Sequence, residues 1–278
     1  MLIIEELITY ESGLQVGIRS WGSENTTTLL FLHGLGSSAA SFAEIATLLS
    51  ERYRILAVDL PGHGESTFTQ GEKFFSVESL AMWVLSVLAK CNTKDIHVVG
   101  HSIGGNIGLA IAKMQPIKSL ILLDGGYIRS CSIPGNSLEK EVQMAEQHCE
   151  SYVFDSWKQF ETELIDGGLS QSLVELAKLS MKDENNQVKL KMASDIAGNY
   201  VRQHFYEPSD ATLTDVNAPV LLLRSTLPKE FNALREKEAA RLSHFVSLTV
   251  EKVEDTTHDI YWGRPDVVAS QIIQWIEK

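Results

Sequence analysis

The stretch 98–108 reads VVGHSIGGNIG. Two valines run into Gly100, Ser102 stands between His101 and Ile103, and Gly104 and Gly105 follow. An apolar run stops here and a helical pattern starts, with Ile103, Ile107, Ile111 and Met114 on one stripe until Pro116. The five residues from Gly100 to Gly104 fit G-x-S-x-G. The spacing has a steric reason: a strand-to-helix turn this sharp strains the backbone of its central residue, so the neighbours two positions away must be small. Such a turn exposes a serine hydroxyl at the carboxyl edge of a sheet, where the new helix aims unbonded N–H groups. The pentapeptide alone also fits an ordinary tight turn with a capping serine. Its place between a buried strand and a helix start favours the nucleophile.

Outward from this turn, strands and helices alternate. TLLFLHG, YRILAVDLPG, DIHVVG and IKSLILLDGG are continuous apolar runs, the pattern of strands buried on both faces. SFAEIATLLSE has helical spacing, and Ser76 opens a helix over 76–90. The first residues, LIIEELITYESGLQVGIRSWG, predict an antiparallel hairpin turning at Ser12-Gly13. After Gly126 the rhythm changes: 137–206 is polar and helical in pattern, with no buried-strand run. APVLLLRS returns as a strand, KEFNALREKEAARL as a helix, HFVSLTVEKVED as a strand, and Pro265 opens a last helix. The expected fold class is α/β, a mostly parallel sheet with an antiparallel N-terminal hairpin and helices on both faces. Residues 1–124 and 216–278 form the expected core, and 125–215 an expected helical cap inserted over it.

Composition bounds the function. The 278 residues include 24 Lys+Arg and 36 Asp+Glu, a net charge of −12, which argues against nucleic acid and anionic membrane surfaces as partners. Hydrophobic residues make up 44 %, enough for a sizeable core. No segment approaches the ~18–20 apolar residues of a membrane span. MLIIEELITYESG carries acids where a signal peptide needs bases. Cys91, Cys131 and Cys149 show no metal-like spacing and read as reduced thiols. A cytoplasmic protein acting on a small molecule is expected.

A serine at its ordinary pKa needs a base. Of eight histidines, His33, His63 and His101 sit beside glycines in turns and read as backbone packing; His97 lies in a strand. His148, His204 and His244 read as surface residues. His258 follows the last strand in EDTTHDIYWGRP, a loop that a parallel sheet brings to the edge carrying Ser102. GLGSSA at 34–39, with Asp59 ending the next strand, also fits a dinucleotide fingerprint. His33 before the first glycine, the preceding hairpin and the unexplained serine turn count against it.

With these blocks on the page, the chain resembles the α/β-hydrolase superfamily. FLHGLG (31–36), VDLPGHGES (58–66) and GHSIGG (100–105) carry the resemblance, and THDIYWGRPDVV (257–268) agrees. The resemblance implies catalytic Ser102 and His258, with an oxyanion hole from the backbone N–H groups of Leu35 and Ile103. Two such donors ~3 Å from a developing oxyanion stabilise a tetrahedral intermediate by a few kcal/mol. Asp59 becomes a structural residue of its turn. The third catalytic member departs from the family. In much of the family the acid follows the strand that here reads PVLLLRS, in a pattern like R-G-x-x-D; this chain has RSTLPKE, with Glu230 the nearest acid. Asp124, ending SLILLD and placed as in many haloalkane dehalogenases, is the preferred candidate, because a strand end is better fixed than a loop; Glu230 is its rival. Ser102 excludes the carboxylate nucleophile of dehalogenation. The expectation is hydrolysis of a small ester, thioester or lactone through an acyl-serine, with no metal or organic cofactor required. A ligand receptor on the same scaffold and an NAD-binding oxidoreductase are the alternatives. Tyr127, Tyr152, Phe154, Trp157, Phe160, Tyr200, Phe205 and Tyr206 are candidate pocket walls.

Overall fold

The computed structural model describes residues 4–9, 15–22, 25–68 and 71–278. Its strands are β1 (Ile4–Thr9), β2 (Gln15–Trp21), β3 (Thr27–Leu32), β4 (Arg54–Val58), β5 (Lys94–His101) and β6 (Ser119–Leu123). They continue with β7 (Val153–Phe154), β8 (Met181–Glu184), β9 (Gln187–Leu190), β10 (Val220–Ser225) and β11 (Leu248–Val253). Eight of them form one sheet in the order β1-β2-β4-β3-β5-β6-β10-β11. β2 runs antiparallel to both its neighbours, and every other pair is parallel. The N-terminal antiparallel pair is as expected; its turn at Ser12-Gly13 lies outside the described residues.

The continuous apolar runs arise because both faces are covered. Alternate residues of each central strand enter two separate cores. Leu30, Leu32, Val98, Leu120, Leu122 and Leu222 join the helices Val77–Leu88, Ile103–Met114 and Asn232–Leu242. Leu29, Phe31, Val99, Ile121, Leu123 and Leu223 join the helices Ala43–Leu49 and Pro265–Ile276. Ser76 caps its helix as predicted, accepting the Ser79 N–H at 3.2 Å.

The order β4-β3-β5 places the site. The helix following β3 covers one face and the helix following β5 covers the other. The two connections therefore part company above neighbouring strand ends, leaving a crevice at the carboxyl edge. The loop with Leu35 and the turn with Ser102 are these two connections.

Between β6 and β10 lie the helices Leu138–Ser151, Trp157–Asp166, Gln171–Lys178, Ser194–His204 and Asp210–Leu213. They enclose their own core, including Phe154, Phe160, Val174, Val188 and Leu190. The helical pattern of this segment misses a small antiparallel sheet, β7-β9-β8. β8 (MKDE) and β9 (QVKL) are too short and polar to show a buried run, and their hairpin turns on Asn185 and Asn186, with φ of 57° and 60°. No disulfide joins the three cysteines among the described residues, and no helix among them is long and apolar enough to cross a membrane.

Candidate active site

Ser102 occupies the turn between β5 and the helix Ile103–Met114 with φ 53° and ψ −122°. Positive φ is costly for a residue with a Cβ, and here the surroundings impose it. A Cβ at Gly100 would strike the carbonyl of Gly104, and one at Gly125 would strike the Ser102 backbone. A Cβ at Gly34 would lie 3.0 Å from that of Ser102. Three backbone segments thus close on the serine, which explains the glycines around it.

The Leu35 loop is pinned by two buried histidines. His33 Nδ1–H donates to the Gly34 carbonyl at 2.8 Å while its Nε2 accepts the Leu60 N–H at 2.9 Å. His63 Nε2 accepts the Gly36 N–H at 3.0 Å, and its Nδ1–H donates to the Pro61 carbonyl at 3.2 Å. Burial pulls the pKa of His33 down to about 4 and of His63 to about 3, so both are neutral at pH 7 and keep one donor and one acceptor. The backbone N–H groups of Leu35 and Ile103 have no protein acceptor among the described residues, and both residues line the cavity that holds Ser102. Asp59 caps the neighbouring turn, its Oδ1 accepting Ala39 N–H at 2.7 Å and its Oδ2 accepting Glu65 N–H at 3.0 Å. Its carboxylate is therefore occupied by the chain itself, which accounts for GLGSSA without a dinucleotide.

His258 Nδ1–H donates to Asp124 Oδ2 at 3.0 Å. Its Nε2 is left as the acceptor. Asp124 is buried at the end of β6 with φ 47°. Its Oδ1 also accepts Ser225 N–H at 3.0 Å and Tyr127 O–H at 3.0 Å, and its Oδ2 accepts Ser225 O–H at 2.8 Å. Burial alone would raise the Asp124 pKa, but the bonds from His258 and Ser225 outweigh it and the net direction is down. Loss of water around the imidazole would lower the His258 pKa, but the Asp124 carboxylate outweighs it and the net direction is up. Glu230 stands exposed on the short turn Lys229–Phe231 and makes no hydrogen bond to His258 among the described residues. The two candidate acids are thereby separated: Asp124 touches the histidine and Glu230 does not. Ser102 and His258 share the cavity wall with no hydrogen bond between them; catalytic hydrogen bonds often form fully only in the Michaelis complex.

His101 backs the histidine loop. Its Nε2–H donates to the His258 carbonyl at 3.3 Å, and the two rings lie tilted at 45° with centroids 4.7 Å apart. Burial, and then the proximity of His258, lowers its pKa to about 3. His204 corrects the surface reading. It is buried, donates from Nε2 to the Phe75 carbonyl at 3.1 Å, and lines the cavity beside Asn106. One Ser194–His204 turn had looked polar because its inward side carries Tyr200 and His204. His148 and His244 are exposed as expected.

The cavity measures about 490 Å³ and is roofed by the inserted segment through Ile128, Ile133, Tyr200 and Val201. Of the aromatic candidates, Tyr200 is in its wall, Tyr127 supports Asp124, and Tyr206 is exposed. Tyr152 and Phe160 line a second cavity of about 320 Å³ between the insertion and the core, whose wall also includes Leu35, Ser41 and Trp262. Ser225 and Arg235 escaped the sequence reading. Ser225 was visible only as a substitute for the glycine of R-G-x-x-D; what it touches follows from β6 and β10 being neighbours, with Leu123 opposite Leu223. Among the described residues, no group of three or more His, Cys, Asp or Glu is placed to hold a metal ion.

Comparisons with known proteins bear on the family and the fold. The "Uncharacterized hydrolase YugF" of Bacillus subtilis is 33 % identical over 120 residues, covering 42 % of this chain and 44 % of that protein. The alignment therefore spans less than half of that relative. A "Probable serine hydrolase" of Drosophila melanogaster is 24 % identical over 275 residues, 93 % of this chain and 83 % of that one. The crystal structure of E-2-(acetamidomethylene)succinate hydrolase superimposes with a TM-score of 0.80 at 20 % identity, covering all of both chains, a likeness of fold. The model of the alpha/beta hydrolase fold family matches residues 27–265. With that match spanning most of its length, the chain belongs to the α/β hydrolase family.

Proposed function

We propose that this chain is a serine hydrolase of a small carboxylic ester, thioester or lactone. The observation that carries the reading is the hydrogen-bonded line from Ser225 and Tyr127 through Asp124 to His258, on the same cavity as the strained Ser102 turn. Ser102 Oγ attacks the acyl carbon while His258 Nε2 takes its proton. The carbonyl oxygen becomes an oxyanion facing the N–H groups of Leu35 and Ile103. Asp124 holds the imidazole with Nδ1 protonated and stabilises its cation. His258 then returns the proton to the departing alcohol or thiol, leaving an acyl-serine. A water attacks that ester, gives its proton to His258, and the acid leaves as the proton returns to Ser102. The serine hydrolase named among the full-length relatives supports the nucleophile. The inserted segment, which we assign to residues 125–215 as a cap, forms the roof and sets what enters.

The test is release of p-nitrophenol from short-chain p-nitrophenyl esters. Wild type should exceed Ser102→Ala by a thousandfold or more in kcat (an order-of-magnitude expectation for loss of the nucleophile). Equal rates in the two proteins would contradict the reading and favour a ligand-binding role for the cavity.

A further inference from the structure

The chain has two buried arginines among its described residues, and their charges are handled differently. Arg224, 2 % exposed, reaches Glu236 at 3.1 Å. Arg235, 5 % exposed, has no carboxylate within ion-pair distance among the described residues. Arg129 and Arg241, which are less buried, share the fully buried Glu238. A buried guanidinium without a counter-ion is costly unless something neutralises it, and Arg235 lines the cavity that holds Ser102 and His258.

Its hydrogen bonds account for only part of the group. Nη1 donates to the Pro228 carbonyl at 2.9 Å and to Asn232 Oδ1 at 3.3 Å, and Nη2 donates to the Leu227 carbonyl at 2.6 Å. These bonds hold the loop beside His258 and would need no charge. Nε–H has no acceptor among the described residues, and it is not among the polar atoms sealed from solvent without a partner. A guanidinium carries five N–H donors, so a second Nη2 proton is also left. In any guanidinium Nε–H and one Nη2–H lie along one edge of the plane, the edge that receives a carboxylate through two parallel hydrogen bonds. The Phe231 ring lies against the guanidinium, its centroid 5.9 Å from the guanidinium carbon.

We propose that Arg235 is a specificity-determining residue that anchors a carboxylate carried by the substrate, so that the preferred substrates are acyl compounds with a free acid group. The word substrate rests on the hydrolase reading; the anchor itself does not. Arg235 is the one Lys or Arg in the wall among the described residues. The two glutamates in that wall are engaged elsewhere: Glu141 accepts Ser130 O–H at 2.9 Å, and Glu207 accepts Ser209 N–H and Thr212 O–H at 2.7 Å each. They make the rest of the wall unfavourable for a second anion and leave one place for one carboxylate.

The experiment uses mono-p-nitrophenyl esters of adipate, pimelate and suberate, each beside a neutral partner of the same shape with a terminal isopropyl group. The readout is the ratio of kcat/KM for the acid to that for its partner, in wild type, Arg235→Gln and Arg235→Lys. A ratio is taken within one protein, so a general loss from the loosened 227–228 loop cancels. For at least one chain length the wild-type ratio should be tenfold or more, should fall to near one in Arg235→Gln, and should be intermediate in Arg235→Lys. A second readout needs no turnover: calorimetric titration of Ser102→Ala protein, with and without Arg235→Gln, by the monomethyl esters of the same diacids. Binding lost with Arg235 supports the anchor even if no ester is hydrolysed, in which case the hydrolase reading alone fails. Ser102-dependent turnover with wild-type ratios near one at every length, or ratios unchanged in Arg235→Gln, overturns the anchor and leaves the hydrolase reading standing. Absence of both turnover and binding overturns the anchor as well.

Discussion

Asp124 and Glu230 show how little a residue's type says about its use. Both are acids close in sequence to strand ends, yet one accepts four hydrogen bonds and the other faces water. Asp124→Asn keeps the volume but removes the charge and allows the wrong histidine tautomer, so kcat should fall by roughly 10³–10⁴. Glu230→Gln should change it by less than about twofold, since exposed substitutions away from such features are nearly silent. The pH profile gives a second handle. The His258 pKa is raised above its ordinary value by Asp124, and the base must be neutral to work. In wild type, kcat/KM should therefore rise with pH along a limb centred above ~6.5. In Asp124→Asn the residual activity should show that limb displaced to lower pH. A limb that stays put would mean that Asp124 does not set the histidine's protonation.

At the scale of elements, each catalytic candidate sits where a strand stops. Ser102 follows β5, Asp124 follows β6, and His258 follows β11. Parallel strands with right-handed crossovers bring all these ends to one edge, so the rigid sheet positions groups far apart in sequence. The inserted segment is held differently, by a smaller core and a three-stranded sheet. Its β8–β9 hairpin depends on two asparagines that tolerate positive φ. Asn186→Val should destabilise the segment by about 1–3 kcal/mol, because a β-branched residue is strained there. Asn186→Gly should be neutral or slightly stabilising. Hydrogen exchange of the amides in 181–190 would show it: faster opening in Asn186→Val, with β3, β5 and β6 unchanged. Equal protection in both variants would contradict the assigned turn.

Across the whole molecule, five histidines are held neutral by burial. His33, His97 and His204 have pKa values lowered to about 4, and His63 and His101 to about 3. In the unfolded chain the same groups titrate near ~6.5. Below that pH the unfolded state binds more protons, so stability is full above ~6.5 and is lost as pH falls toward the folded values. Each such group contributes a slope of about 1.4 kcal/mol per pH unit within that window. Asp124, held low, adds loss at more acid pH; the raised pKa values of Asp59, Asp259 and His258 act in the opposite sense but are fewer. Urea unfolding midpoints should drop steeply between pH 6.5 and 4.5 (a window bracketed by these reference values). A flat profile there would show that these rings are not held neutral.

Much of this was legible before the structure. The strands were visible because both faces of the sheet are apolar, and the serine turn because its glycines are a local steric necessity. His258 was legible from its place after the last strand. Its place at a strand end favours Asp124 over Glu230, but the partner Ser225, 101 residues away, is brought to it by the β6–β10 pairing, which no local pattern shows. His204 and the hairpin at Asn185-Asn186 were missed for a related reason: polar residues that face inward, or that pair in short strands, leave no hydrophobic period to read. Arg235 carried no signal at all, because an unpaired arginine looks like any other until its surroundings are known.

The proposed mechanism makes Ser102 a nucleophile activated through His258 by Asp124. The most direct measurement is the rate of labelling by a fluorophosphonate, followed by intact mass and peptide mapping. A single adduct is expected on the peptide containing Ser102, absent in Ser102→Ala, slowed a hundredfold or more in Asp124→Asn (the scale of a lost general-base partner), and unchanged in Glu230→Gln. An adduct on another residue, no adduct at all, or equal slowing in Asp124→Asn and Glu230→Gln would contradict it.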